Sequence, residues 1–275
     1  MSKVILHILL LFSLAVCSMV SLSAAERLEI DFTLVEGRIL IDGHLSGHDG
    51  VFIFDTGTPQ IIIHDNDIAD TDGLLSSVQG DHPFAIKEVG LVQFADYEIP
   101  TGSYLMHMDL SELIGDMDQK VLGILGWSAF DADQAIFINY RDSKIIVGKP
   151  EFTADMVESN HVIRLNLREV GDELPTVEIE VNQEVLTFAF DTGAPLHAIG
   201  PQKLDQARGD VFQESIKIDG LITIKENQFR VEDMEAFDEF DGILSVNALN
   251  TNYVVIDRTA QRVYLFWDKE DLAGL

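Results

Sequence analysis

Apolar and polar residues alternate with a period of two along much of the chain, the mark of strands that bury one face. The first half shows it in RLEIDFTL, GRILIDGHL, AIFINY and KIIVG; the second shows it in HVIRLNL, PTVEIEV, SIKIDGLITI, YVVIDR and RVYLFW. Gly43, Gly47, Gly50 and Asn182 punctuate these runs where hairpins are expected. Helical spacing is scarce. One short helix is predicted near DLSELIGDMDQ, with single turns after Gly126 and after Ser245. The pattern predicts an all-β chain with few short helices.

The strands also repeat in order. FIFDTGTP spans Phe52 to Pro59, and FAFDTGAP spans Phe188 to Pro195, an offset of 191 − 55 = 136. GILGWSAF starts at Gly123 and GILSVNAL at Gly242, and each leads into an apolar strand with a polar turn, AIFINYRDSK and YVVIDRTAQR. The interval from Asp to this Gly is 123 − 55 = 68 in the first half and 242 − 191 = 51 in the second. Duplication explains this better than chance, with the second unit shorter by about one hairpin. The polar stretch KPEFTADMVESNH, Lys149 to His161, is the expected linker. It places a first lobe at 26–150, a linker at 151–160 and a second lobe at 161–275.

Composition narrows the partners. The chain has 275 residues, 47% hydrophobic, enough for one large core or two smaller ones. Its 18 Lys and Arg face 47 Asp and Glu, a net charge of −29 that repels nucleic acid and anionic headgroups. Lys3, the apolar run VILHILLLFSLAVCSMVSL and the small residues SAA read as a signal peptide over residues 1–25, cleaved after Ala25. Export to a periplasm or to the medium is the expectation. Membrane attachment remains open if this run, about as long as a membrane span, stays uncleaved, or if Cys17 is lipidated. Cys17 is the only cysteine, so cleavage would leave no disulfide and no thiol.

The repeated phrase carries the chemistry. An Asp ending an apolar strand loses hydration, at a cost of several kcal/mol unless donors surround it. Gly57 and Gly193 suit tight turns whose amides point back at Asp55 and Asp191, and the hydroxyls of Thr56 and Thr192 can bond across to the neighbouring turn. If the halves pack about a pseudo-twofold axis, the two carboxyls meet at the seam and share one proton over a wide pH range. Such a pair can take a proton from water while donating one to a substrate carbonyl.

The doubled D-T-G-[AT], each copy followed by a hydrophobic-hydrophobic-Gly stretch, resembles the aspartic protease superfamily of pepsin-like and retroviral-type enzymes. The likeness is greatest to a bacterial exported branch, here with two lobes in one chain. The resemblance implies two β-barrel-like lobes of the acid protease fold, acting as a monomeric endopeptidase on polypeptide, without metal or cofactor. By residue it implies a catalytic dyad of Asp55 and Asp191, a brace of Thr56 and Thr192, and turn residues Gly57 and Gly193. Ile124, Leu125 and Gly126, with Ile243, Leu244 and Ser245, would pack beneath the aspartates. Two departures stand out. Ser245 occupies a place where the family has Gly, and no tyrosine falls at a flap position of the pepsin kind, Tyr97 and Tyr104 being badly placed. Flap tips are expected at Gly80-Asp81 and Gly209-Asp210. Thr58 follows the first motif where Ala194 follows the second, which predicts Asp55 as the ionised base and Asp191 as the proton carrier. The alternative is a catalytically inactive, bilobal peptide-binding or scaffold protein of the same fold.

Other signals read as ordinary surface. His44 and His48 have a metal-like spacing, but the glycines around them make a hairpin loop rather than a helix. The acidic run DNDIADTDG from Asp65 lacks ligands where a calcium loop needs them. ARGD, at Arg208, reads as a charged turn. Ser128 in GWSAF lacks the second glycine of a nucleophile elbow.

Overall fold

The computed structural model describes residues 27–66, 75–79, 82–115, 117–130, 133–149, 154–170, 174–181, 183–203, 211–218, 222–231 and 240–268. The segment expected to be a signal peptide, which includes Cys17, lies outside them, as do both expected flap tips, Arg208 and residues 67–73 of the acidic run. None of the helices among the described residues is long and apolar enough to cross a membrane.

The fold is all-β and two-lobed, as the alternation predicts. Strands from both halves form one six-stranded sheet that joins the lobes. At its centre Ala135–Asn139 pairs antiparallel with Tyr253–Asp257, the same strand of each repeat meeting its copy. Lys144–Gly148 and Arg262–Asp268 flank this pair, and Arg27–Asp31 and Asn160–Asn166 close the two edges. The arrangement reads alike from either end, so a pseudo-twofold axis passes through it. The expected linker is partly structured: Ala154–Ser159 is a helix, and Asn160 already belongs to the edge strand.

Each lobe then builds its own sheet. In the first, Arg38–Leu45 and His48–Asp55 form a hairpin, and Val121–Gly126 lies parallel to His48–Asp55 and antiparallel to Ile62–His64. In the second, Leu174–Val181 and Glu184–Asp191 form the hairpin, and Gly242–Ser245 inserts in the same way beside His197–Ile199. That second sheet closes on itself, because Leu174–Val181 also pairs with Val211–Ile218. In the first lobe the chain adds the hairpin Val92–Phe94 with Tyr97–Ile99, docked on Arg38–Leu45, between the sequence positions of His82–Glu88 and Tyr104–Met108, which pair with each other. The second lobe joins Val211–Ile218 directly to Ile222–Val231, which accounts for the shorter interval between its motifs.

The short helical pieces fall near their predicted places, at Ser111–Ile114, Trp127–Ala129 and Asn247–Leu249. A large core runs through both lobes and the joining sheet, with Phe52, Phe54, Phe188, Phe190, Trp127 and Trp267 fully buried. Burying each such aromatic removes a large apolar area from water, worth about 1.5–3 kcal/mol. The Phe-x-Phe that precedes each Asp-Thr-Gly thus anchors the strand whose last residue is the aspartate.

Candidate active site

The two aspartates end matching strands on either side of the pseudo-twofold axis. Phe52, Ile53, Phe54 and Asp55 are all buried, as are Phe188, Ala189, Phe190 and Asp191. Only 6% of Asp55 and 5% of Asp191 is exposed. Carboxyls in so dry a place need donors. For Asp55 they are the Gly57 amide, 2.8 Å from Oδ1, and the Thr58 hydroxyl, 2.8 Å from Oδ2. For Asp191 they are the amides of Gly193 and Ala194, at 2.6 and 3.0 Å, both on Oδ1.

The turns interlock through four symmetric bonds. The Thr56 amide donates to Thr192 Oγ1 at 3.0 Å, and the Thr192 amide donates to Thr56 Oγ1 at 3.1 Å. Each hydroxyl in turn donates across the seam, Thr56 to Phe190 O at 2.7 Å and Thr192 to Phe54 O at 3.0 Å. Both threonines are fully buried, so these bonds are shielded from water, and each contributes about 1 kcal/mol to holding the lobes in register. Asn247 adds a third tie, donating to Gly37 O and to Thr192 O at 2.7 Å each.

Interlocking brings each carboxyl against the opposite turn. A Cβ on Gly57 would lie 2.5 Å from Asp191 Cγ, and one on Gly193 would lie 2.6 Å from Asp55 Oδ2. Glycine is therefore required at both places by close approach. Each carboxyl thus lies against the turn that carries the other, and the Asp191 pKa stands well above the ordinary carboxyl range. Burial is the largest cause, followed by the adjacent Asp55, while the Gly193 and Ala194 amides pull the other way. Burial and the neighbouring carboxyl thus keep a proton on Asp191 to higher pH than an ordinary carboxyl would.

Beneath the dyad the two lobes differ. Gly126 pairs with Asp55 in the parallel ladder, and a Cβ there would overlap the carbonyls of Gln60 and Thr58. Ser245 pairs with Asp191, and its hydroxyl donates to Ala194 O at 2.7 Å, so the turn is fixed by a bond rather than by close packing. Its amide donates to Nδ1 of the fully buried His197 at 3.1 Å. Ile124, Leu125, Ile243 and Leu244 are all buried in the same strands.

The predicted dyad, brace, turn and packing residues thus come together in one place. His44 and His48 do sit at a hairpin turn, where His44 is engaged by Asp49 at 2.9 Å and by the Gly47 amide at 3.0 Å. Asp65, from the acidic run, pairs with Lys87 at 2.6 Å and His107 at 3.1 Å. Among the described residues no three His, Cys, Asp or Glu side chains converge as a metal site. Tyr97 packs against Phe94, their rings 4.8 Å apart, and Tyr104 is 40% exposed on its strand. Sequence reasoning missed Asn247, His197 and Arg38. Arg38 lies where the hairpin ladder has ended at Ile39 with Phe54, pairs with Val35, and is buried with its Nη2 donating to the Leu113 carbonyl at 3.3 Å.

No family model matches the sequence, and no curated protein matches it. Among solved structures the chain is similar to basic 7S globulin from soybean, with a TM-score of 0.52 over 87% of this chain and 94% of that one. Sequence identity is 10%, so this likeness carries the fold alone. It supports the two-lobed β architecture described above.

Proposed function

We propose that the chain is an aspartic endopeptidase that hydrolyses peptide bonds with water activated between Asp55 and Asp191. One observation carries this reading: two buried carboxyls, one from each repeat, each lying against the turn that carries the other, in turns that the two lobes lock together. A structural role alone would not favour two facing carboxyls, because burying like charges together is costly.

The chemistry follows from the donors. Thr58 and Gly57 give to Asp55, which favours its charged form, and Asp191 retains the shared proton. Asp55 takes a proton from water as the water oxygen bonds to the peptide carbonyl carbon. Asp191 gives its proton to the carbonyl oxygen, so a neutral gem-diol forms with no covalent enzyme intermediate. The gem-diol then returns a hydroxyl proton to Asp191, Asp55 protonates the amide nitrogen, and the C–N bond breaks. Each carboxyl ends as it began. The substrate would lie extended between the lobes.

Digestion of an unfolded protein substrate across pH tests the proposal, with Asp55→Asn and Asp191→Asn as controls and a statine-type inhibitor as a probe. Wild-type cleavage that both variants and the inhibitor abolish is the expected result. No cleavage at any pH, with the inhibitor unbound, would leave the inactive bilobal binding protein in its place.

A further inference from the structure

We propose that His197 and Ser245 are a positioning pair for Asp191: the imidazole holds the Ser245 amide, and the Ser245 hydroxyl then fixes the turn that donates to the carboxyl. In its consequence for catalysis the inference rests on the aspartic-endopeptidase reading, to which it adds two residues that act through Ala194.

The first repeat shows what the pair replaces. There the carbonyl of Thr58, in the turn after Asp55, accepts from the main-chain amide of Trp127 at 2.6 Å. That bond needs the strand beneath to come close, and a Cβ on Gly126 would lie 2.4 Å from the same carbonyl. In the second repeat Ser245 holds the place of Gly126, and the amide after it, that of Val246, donates to Asp191 O at 2.8 Å. The turn carbonyl, Ala194 O, is satisfied by a side chain instead. Ser245 Oγ donates to it at 2.7 Å, and the Ala194 amide donates to Asp191 Oδ1 at 3.0 Å. Ala194 is thus gripped at its carbonyl by the serine while its amide holds the acid.

The Ser245 amide needs an acceptor of its own, because a buried amide is costly to leave unpaired. The neighbouring Val246 amide bonds the strand Glu184–Asp191, so that of Ser245 points to the other side. There the ladder with His197–Ile199 has ended at Ala198 with Ile243. His197 Nδ1 accepts the amide at 3.1 Å. Ile61, at the same remove from Asp55 in the first repeat, has no acceptor to offer. A ring nitrogen that accepts from an amide carries no proton, so His197 is neutral with its proton on Nε2. Both members of the pair are fully buried and uncharged, and they act on Asp191 through the turn rather than by charge. The Ala194 amide is one of the two donors that pull the proton affinity of Asp191 down, so loosening it raises that affinity.

The test reads the free protein by NMR, with aspartate isotopically labelled at Cγ and histidine at both ring nitrogens. The Asp191 and His197 signals are those lost in Asp191→Asn and His197→Asn. Wild-type His197 should show a protonated Nε2 and a bare, hydrogen-bonded Nδ1. A proton on Nδ1 overturns the proposal whether or not any variant folds. In Ser245→Ala the Asp191 titration should move to higher pH. His197→Ile should move it the same way, and His197→Asn, whose Oδ1 can stand in for Nδ1, should bring it back toward wild type. A titration left in place in folded Ser245→Ala or folded His197→Ile also overturns the proposal, because a merely structural role would lower the melting temperature alone. Hydrolysis is scored separately on a peptide that wild type cleaves. Ser245→Ala should lower kcat by roughly fivefold with KM little changed, as for the loss of one hydrogen bond. If wild type cleaves no peptide, the endopeptidase reading fails, and the titrations still decide the pair.

Discussion

Around Asp55 the turn places a hydroxyl on the carboxylate, Thr58 Oγ1, and a glycine, Gly126, in the strand beneath. Around Asp191 the same two places hold Ala194 and Ser245, and the hydroxyl now faces the turn carbonyl instead of the acid. The scaffold has kept one hydroxyl per turn but moved it from the carboxyl to the turn carbonyl behind it. A duplicated frame thereby yields two aspartates with different hydrogen-bond partners. The backbone symmetry brings the carboxyls together, and the side-chain asymmetry tells them apart.

The most severe break removes either carboxyl. Asp55→Asn and Asp191→Asn should each lower the rate of peptide hydrolysis by roughly 10²–10⁴-fold, read as kcat/KM on a peptide cleaved by wild type. The brace bonds, which use Thr56 and Thr192, should leave both variants folded.

Exchanging the supporting residues comes next. Gly126→Ser would drive a Cβ into the Gln60 and Thr58 carbonyls, which are backbone and cannot step aside. A loss of about 3 kcal/mol is expected by urea unfolding, at the upper end for an overpacked site. The reverse exchange, Ser245→Gly, deletes the bonds to Ala194 O and from the Ala248 amide and should cost about 1 kcal/mol. Equal costs would mean that the two lobes pack alike beneath their aspartates.

The fold was largely legible because alternation, Phe-x-Phe anchors and a doubled Asp-Thr-Gly are local signals with one physical reading each. RVYLFW is a strand by its pattern, and GILG and GILS are buried strand ends by their repetition. The brace was legible for the same reason, since threonine next to a buried aspartate has few other uses. The seam ties were not. Asn247 acts on Gly37, 210 positions away, and nothing in SVNAL announces that distance. His197 corresponds to Ile61 in the first repeat, and its Nδ1 finds the Ser245 amide only once the strands are paired. Which strands would share the joining sheet also depended on a packing between lobes that no local pattern encodes.

The raised Asp191 pKa distinguishes the aspartates by stability. The folded chain holds the Asp191 proton more tightly than the unfolded chain, so it binds more protons once the pH exceeds the ordinary carboxyl value. Stability from this group is therefore full below that value and is lost as the pH rises toward the raised one. Asp191→Asn removes the penalty. Thermal melts should show the variant gaining on wild type at neutral pH and the gain shrinking at acid pH, below the ordinary range. A gain independent of pH would assign the effect to packing.

The finest discrimination lies in one hydroxyl. Thr58 donates to Asp55 Oδ2, and a donor to a carboxylate favours its charged form. Removing it in Thr58→Ala deletes a donor to the carboxylate, which should move the acid limb of the pH–rate profile upward. Ala194→Thr would offer the other aspartate the same donor and reduce the difference between the two. If that variant alone moves the acid limb down while Thr58→Ala leaves it in place, the roles are reversed and Asp191 is the base. The double exchange, Thr58→Ala with Ala194→Thr, should then restore a near-wild-type limb only if the dyad reads the position of the hydroxyl and not merely its presence.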